Sequence, residues 1–367
     1  MKKIIGILIL LSLALSLVSC GGDYPPVEST GDELKTVFEI NYEGEKYEIK
    51  YELYRALFIS FKDSIDKGDD SVWSGENKDE YINAIDSLIL DYASDIYASF
   101  HLCKKIGVDV YSRDFEQKIN EYIKIGVEGG DIDGNLFIGY DGDYDEYLKS
   151  LKKIGVNYSV QTLLLRYSLA IDAINDYYIG SVDGNDLQNG ATLGAIKYTE
   201  EDVKDFYQSN QCVRVIYAFL SSDAYNEERA KEIRNEIAEK TNDEAVQNYI
   251  IGHTTLGASD VKNGMLISEY NLDSRYYGEI VKGAFALSLF ETSPVFKFNS
   301  YNENGYVIMY KTAKDEEFYR NNYNDIVYIY LNNEIGKILE QTKTALIESA
   351  SATTYLTSIE RDSILVK

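Results

Sequence analysis

Two histidines, His101 and His253, are the only imidazoles in 367 residues, and that count limits the chemistry open to the chain. A zinc site built on several histidines is excluded, and so is an HExxH helix, which needs two on one face. No GxSxG turn presents a serine nucleophile. Gly278 and Gly283 lack the following Lys-Ser/Thr that completes a phosphate-binding loop. His101 closes an amphipathic run and reads as structural, and His253 stands in a glycine-bounded loop, 252–257. Asp131, Asp133, Asn135, Asp141, Asp143 and Asp145 crowd one Gly-rich stretch, which raises calcium because hard cations take several oxygen ligands. The spacing is wrong for an EF-hand begun at Asp131: Leu136 falls on the glycine position and Gly142 on the bidentate glutamate position. A solvated loop over 129–145 is the expectation. No catalytic residue, metal site or cofactor follows from these residues.

The cysteines divide into two kinds. Cys103 and Cys212 are too few for a disulfide scaffold and read as small buried residues, with a single disulfide the lesser alternative. Cys20 is different. Lys2 and Lys3 give a positive start, residues 4–18 are almost unbroken apolar, and the run ends in Leu17-Val18-Ser19-Cys20 before Gly21-Gly22. That is the layout of an export signal, too short for a span that needs about 20 apolar residues. Its end resembles a lipobox, which implies that the Cys20 thiol carries a diacylglycerol and becomes the first residue. An ordinary secretory signal is the alternative. Formal charge is −25, and loss of Lys2 and Lys3 takes it to −27, so phosphate backbones and anionic lipid heads are repelled and nucleic-acid binding is not expected. Tyrosine is abundant at 33 against three prolines, which suits long helices whose surfaces mix apolar contact with hydrogen bonding.

The elements that hold these residues are legible from periodicity. Residues 21–35, with Pro25-Pro26, read as a flexible tether. Phe38 to Tyr42 and Tyr47 to Ile49 alternate across Glu43-Gly44-Glu45 as a hairpin does, and a helix over 51–66 follows. Ile82, Ile85, Ile89, Tyr92, Ile96 and Phe100 recur at three- and four-residue spacing, one buried helical stripe. Further helices are expected over 115–125, over 144–154, and through Leu164, Tyr167, Ile171, Ile174 and Tyr178. Residues 180–194 read as a loop or hinge. Thr199 with Asp202 reads as a capping box, and 212–220 is apolar on both faces, as a central strand is. Ala230, Ile233 and Ile237 mark a helix, 281–287 another, Phe296 and Tyr306 to Met309 two strands, and Tyr323, Val327, Leu331, Ile335 and Leu339 a last long helix.

This order resembles the extracytoplasmic foldases of the PrsA and SurA type, in which a helical chaperone domain surrounds an inserted parvulin-type peptidyl-prolyl isomerase domain. The likeness is carried by Ile40-Asn41-Tyr42-Glu43-Gly44-Glu45, by 198–207 leading into the insert, and by Val213-Arg214-Val215-Ile216-Tyr217-Ala218-Phe219-Leu220 as a first strand. Gly278-Glu279-Ile280-Val281-Lys282-Gly283-Ala284-Phe285-Ala286-Leu287, continuing to Val295, is the strongest segment, and Gly305-Tyr306-Val307-Ile308-Met309 matches the last strand. The resemblance implies an α+β fold: a helical domain at 36–209, a parvulin-like insert at 210–312, and a C-terminal helical part at 313–367 returning to the first domain. The departures bear on mechanism. Parvulins carry a histidine in the first strand and another in the last, and Tyr217 and Val307 stand there. The methionine and phenylalanine of the proline pocket correspond to Tyr276 and Ile280, and the loop 257–265 lacks the usual Gly-Gly-Asp-Leu-Gly run.

Rotation about a prolyl bond crosses a barrier of about 20 kcal/mol and needs no proton transfer or nucleophile, so an altered pocket does not by itself abolish catalysis. The resemblance therefore implies a lipid-anchored folding chaperone outside the cytoplasm that binds unfolded or newly exported polypeptides, with isomerase activity weak or lost. Tyr217, Tyr276, Ile280, Phe285 and Val307 are the candidate proline-pocket or client-binding residues, and the membrane is a partner through Cys20. Two alternatives stay open: an active divergent isomerase, and a surface-exposed binding or adhesion lipoprotein on the same frame.

Overall fold

The structure, a computed structural model, describes residues 24–66, 70–132, 135–180, 194–270, 274–299, 304–359 and 364. The export signal, Cys20, Asp133 and most of the expected hinge, 181–193, lie outside the described residues. The chain is α+β and mainly helical, and divides into two compact units, residues 1–177 with 338–367 and residues 178–337.

The first unit begins with a hairpin, β1 (Thr36–Tyr42) and β2 (Glu45–Lys50), paired antiparallel with Tyr42 opposite Glu45. Glu43 and Gly44 between them both take positive φ, 49° and 82°, the geometry a two-residue turn of right-handed twist demands. Helix α1 (Tyr51–Asp66) follows directly, then α2 (Lys78–Lys105), α3 (Arg113–Glu128), a second small hairpin of β3 (Gly130–Ile132) and β4 (Asn135–Phe137), α4 (Tyr144–Lys153) and α5 (Tyr158–Tyr178). The α2 stripe is buried as its spacing predicts, with Ile85, Ile89 and Ile96 fully enclosed alongside Leu53, Tyr54 and Phe58 of α1 and Ile174 of α5. Burying each such side chain is worth about 1.5–3 kcal/mol. The expected tether is held from Tyr24 onward, because the Tyr24 hydroxyl donates to Glu128 Oε1 at 2.9 Å and Ser29 donates to Glu52. The stretch expected as a solvated loop, 129–145, is exposed at Asp131, Asp141, Asp143 and Asp145, but part of it pairs as hairpin β3–β4. Gly139 has no Cβ to keep it off the Glu128–Gly129 peptide, so the chain folds back against the end of α3, and Asp143 caps α4 by accepting from Glu146 N at 2.9 Å. The chain returns to this unit with β9 (Ala350–Ala352), which pairs antiparallel with β1, giving the order β2-β1-β9, and α13 (Thr354–Ser358) follows.

The second unit is built on an antiparallel sheet of order β6-β5-β8-β7, from β5 (Cys212–Ser221), β6 (Met265–Ser268), β7 (Phe296–Asn299) and β8 (Asn304–Thr312). Strand β5 is central and its residues alternate between two apolar layers. Ile216, Ala218 and Leu220 face α7 (Glu227–Ala238), α8 (Asp243–Ile251) and α9 (Ala258–Asn263). Val213, Val215, Tyr217 and Phe219 face α10 (Ser274–Ala286). This unit reaches beyond 210–312. Helices α6 (Glu200–Gln208), α11 (Glu316–Asn321) and the first part of α12 (Tyr323–Glu348) belong to it: Tyr207 stacks on Phe318 with centroids 6.1 Å apart, meets Tyr319 at a tilt with centroids 5.3 Å apart, and donates its hydroxyl to Asp315 O at 3.0 Å. Arg214 joins them from β5, its guanidinium 4.1 Å from the Phe318 centroid and ion-paired to Asp315. The capping box that opens α6 is complete, with Thr199 and Asp202 bonding each other's backbone N–H.

Candidate functional site

Register brings the candidate residues together. Across the second sheet Tyr217 lies opposite Met309, while Phe219 lies opposite Val307 and Val307 opposite Phe296, forming an apolar row over three strands. Helix α10 covers this face with Ile280, Val281 and Ala284 on its inner side, and Phe285 and Tyr277 packed beside them. Gly283 is the point of closest approach: a Cβ there would run into the Phe296 ring, so glycine lets that ring lie on the helix. Phe298 is buried, meeting Phe219 edge-on at 5.8 Å and Tyr277 at 5.0 Å. Val307 and Ile280 are buried, whereas Tyr217, Phe219, Tyr277, Phe285, Phe296 and Met265 are half-buried and form the rim that solvent reaches.

Four of the five candidate residues, Tyr217, Ile280, Phe285 and Val307, thus belong to one cluster. The side chain of Tyr276 lies outside the described residues, though its backbone continues α10. Phe219, Tyr277, Phe296 and Phe298 were not among the candidate residues read from sequence. The signal for Phe219 and Phe298 was present: each is two residues from a candidate or cluster member along its strand, and alternate strand residues share a face.

The cluster is apolar, and its polar atoms are the tyrosine hydroxyls. Neither histidine joins it. His253 stacks on Tyr249 at 4.2 Å with Nδ1 2.8 Å from Tyr249 O, while its neighbours Thr254 and Thr255 donate to Phe219 O at 2.9 and 3.2 Å and so fasten the end of β5. His101 lies in the first unit, its Nδ1 2.9 Å from the Tyr47 hydroxyl and its Nε2 3.1 Å from Glu43 Oε2, tying α2 to the first hairpin. Burial lowers its pKa against the opposing pull of Glu43. Burial likewise pushes the thiols of Cys103 and Cys212 up to about 12 and about 11, and both cysteines are free and buried rather than paired. Neither is a nucleophile at neutral pH.

Among the described residues no three His, Cys, Asp or Glu side chains gather to hold a metal ion, and no helix is long and apolar enough to cross a membrane. A cavity of about 410 Å³ opens at the α11–α12 junction, but Arg320, Asn321, Asn322, Tyr323, Asn324 and Asp325 line it as one continuous turn, and the aromatic cluster is not part of it. What the aromatic face can do is hold an apolar or aromatic segment, or a proline ring, by contact, without acid–base or covalent chemistry.

No protein-family model matches the chain and no curated protein matches it. Solved structures similar to it include the foldase protein PrsA from Streptococcus pneumoniae str. Canada MDR_19A, at 14% identity and TM-score 0.24, covering 83% of this chain and 92% of that one. PrsA from Bacillus subtilis is 15% identical with a TM-score of 0.23, covering 74% and 87%. The peptidylprolyl isomerase PrsA from Bacillus cereus is 15% identical with a TM-score of 0.23, covering 79% and 94%. At TM-scores this low the likeness carries no argument about this chain.

Proposed function

We propose that the chain is a membrane-anchored, extracytoplasmic folding chaperone that holds extended segments of unfolded clients against the aromatic face of its second unit, with prolyl isomerisation weak or lost. The observation that carries the reading is the half-buried rim of Tyr217, Phe219, Tyr277, Phe285 and Phe296 around a buried Val307, with no imidazole in the cluster. A surface of this kind binds by contact area, and shallow contact gives weak affinity per residue, which permits release. In the parvulin-type domains that the sequence resembles, histidines stand at the positions of Tyr217 and Val307. Tyrosine keeps a hydroxyl at the first position and valine keeps nothing polar at the second. The export signal and Cys20 supply the extracytoplasmic address and the lipid anchor.

The test is a pair of measurements on the purified mature protein. A prolyl-peptide isomerisation assay should show little or no acceleration, and aggregation of an unfolded secreted client should be delayed at stoichiometric protein. Strong isomerisation would instead make the chain a divergent isomerase working through a rearranged pocket. Failure to delay aggregation would remove the chaperone reading.

A further inference from the structure

A solvent-facing apolar segment stands in the first unit, close to Tyr24, the first described residue. Ile138 is 94% exposed, and Phe137 and Tyr140 beside it are exposed as well. The segment is held firmly, since Tyr140 N donates to Val127 O at 2.6 Å and the Gly139 backbone presses on the Glu128–Gly129 peptide. The same Glu128 accepts the Tyr24 hydroxyl at 2.9 Å. Tyr24 also packs on Tyr144 with centroids 5.1 Å apart, and the Tyr144 hydroxyl donates to Pro25 O at 2.7 Å. Tyr24, the first described residue, and Ile138, the most exposed isoleucine among the described residues, therefore share one corner of the fold.

Only Gly21, Gly22 and Asp23 separate Tyr24 from Cys20, so the lipid-bearing residue reaches no more than about 14 Å from the docked tyrosine. We infer that Phe137, Ile138 and Tyr140 form a membrane-contacting edge that dips into the interface of the bilayer holding the Cys20 lipid, and that it fixes how the first unit stands on the membrane. The inference rests on the lipid-anchor reading. Isoleucine and phenylalanine suit the acyl boundary, and tyrosines suit the headgroup level. A weak apolar contact suffices because the anchor keeps it at high effective concentration. Asp141, Asp143, Asp145 and Glu146 lie alongside, so the contact is apolar in origin and favours zwitterionic over anionic lipid.

The experiment uses the full lipidated chain carrying Ile138→Cys, labelled with a polarity-sensitive thiol fluorophore and bound to phosphatidylcholine vesicles that contain a nitroxide-labelled lipid. Cys103 and Cys212 are buried and Cys20 is blocked by its lipid, so the label stays at 138. The control is Ile154→Cys, also exposed, one helix length of about 15 Å from Tyr144 at the far end of α4. The expected result is a blue shift and loss of emission at 138, with 154 unchanged. No quenching at 138 in a chain whose mass shows the lipid on Cys20 would overturn the inference and leave the anchor standing. A Cys20 without lipid would overturn both. A blue shift produced by an unfolded client and not by lipid would make the edge a client contact and overturn the membrane assignment.

Discussion

Val307 shows what one side chain decides. It is buried, with Phe219 and Phe296 opposite it on either side, and no polar partner lies on its own row. An imidazole there would lose water and gain no hydrogen bond, so Val307→His alone should destabilise the second unit by about 1–3 kcal/mol, read from denaturant unfolding. Tyr217 stands diagonally across the strands, one row away, within reach of an aromatic-sized ring. Adding Tyr217→His should therefore offset part of that loss, and the double variant should cost less than the sum of the two single ones. Strict additivity would mean that the two positions do not communicate.

At the scale of elements, helix-to-helix and helix-to-hairpin ties run through a few ionisable groups. Lys343, in the part of α12 that belongs to the first unit, reaches Asp91 at 3.0 Å and Asp95 at 3.3 Å on α2. Burial pushes the Asp95 carboxyl up to about 7 although Lys343 pulls the other way. Because this folded-state pKa lies above the unfolded value of 3.8, the folded protein binds the extra proton first as pH falls. The contribution of Asp95 to stability is thus fully present below about pH 4 and is lost as pH rises through about 7. His101 works in the opposite sense, since a pKa lowered from 6.5 makes the folded state resist protonation and lose stability on acidification. Asp95→Asn should remove its share of the pH dependence between about 4 and 7 and leave the acid loss due to His101 exposed. Unfolding midpoints taken across that range for both proteins check this, and parallel profiles would show that Asp95 titrates normally.

The whole molecule carries a formal charge of −25, a long-range bias on any charged chain that approaches it. If contact with the aromatic face supplies affinity and the surrounding charge supplies selection, basic unfolded segments should associate faster than acidic ones of equal hydropathy. The difference should shrink as salt shortens the screening length from about 10 Å at 0.1 M to about 3 Å at 1 M. Association rates of paired basic and acidic peptides at the two salt concentrations test this, and a salt-independent preference would place the selectivity in local contacts.

The sequence alone determined what local physics can determine. A 3.6-residue apolar stripe marks a helix wherever it occurs, so α1, α2 and α5 were legible, and so were the capping box at Thr199 and the Glu43-Gly44 turn. Short elements such as α8, α9 and β6 hold too few periods to stand out, and β3–β4 was hidden by glycine and aspartate that also suit a loop. The types of the candidate residues were legible too, with Tyr217 and Val307 at the positions where the resemblance implies histidines. Their meeting was not, because it depends on pairing between strands far apart in the chain: β5 with β8 sets Tyr217 beside Met309 and Val307, and β9 returns to β1 with Ser351 bonding Glu39 across 312 residues. Nothing in the composition of 21–35 announced that Tyr24 would be pinned to Glu128. Such contacts are chosen by the packing of the completed fold, where burying one face of each element leaves a single register that satisfies every strand at once.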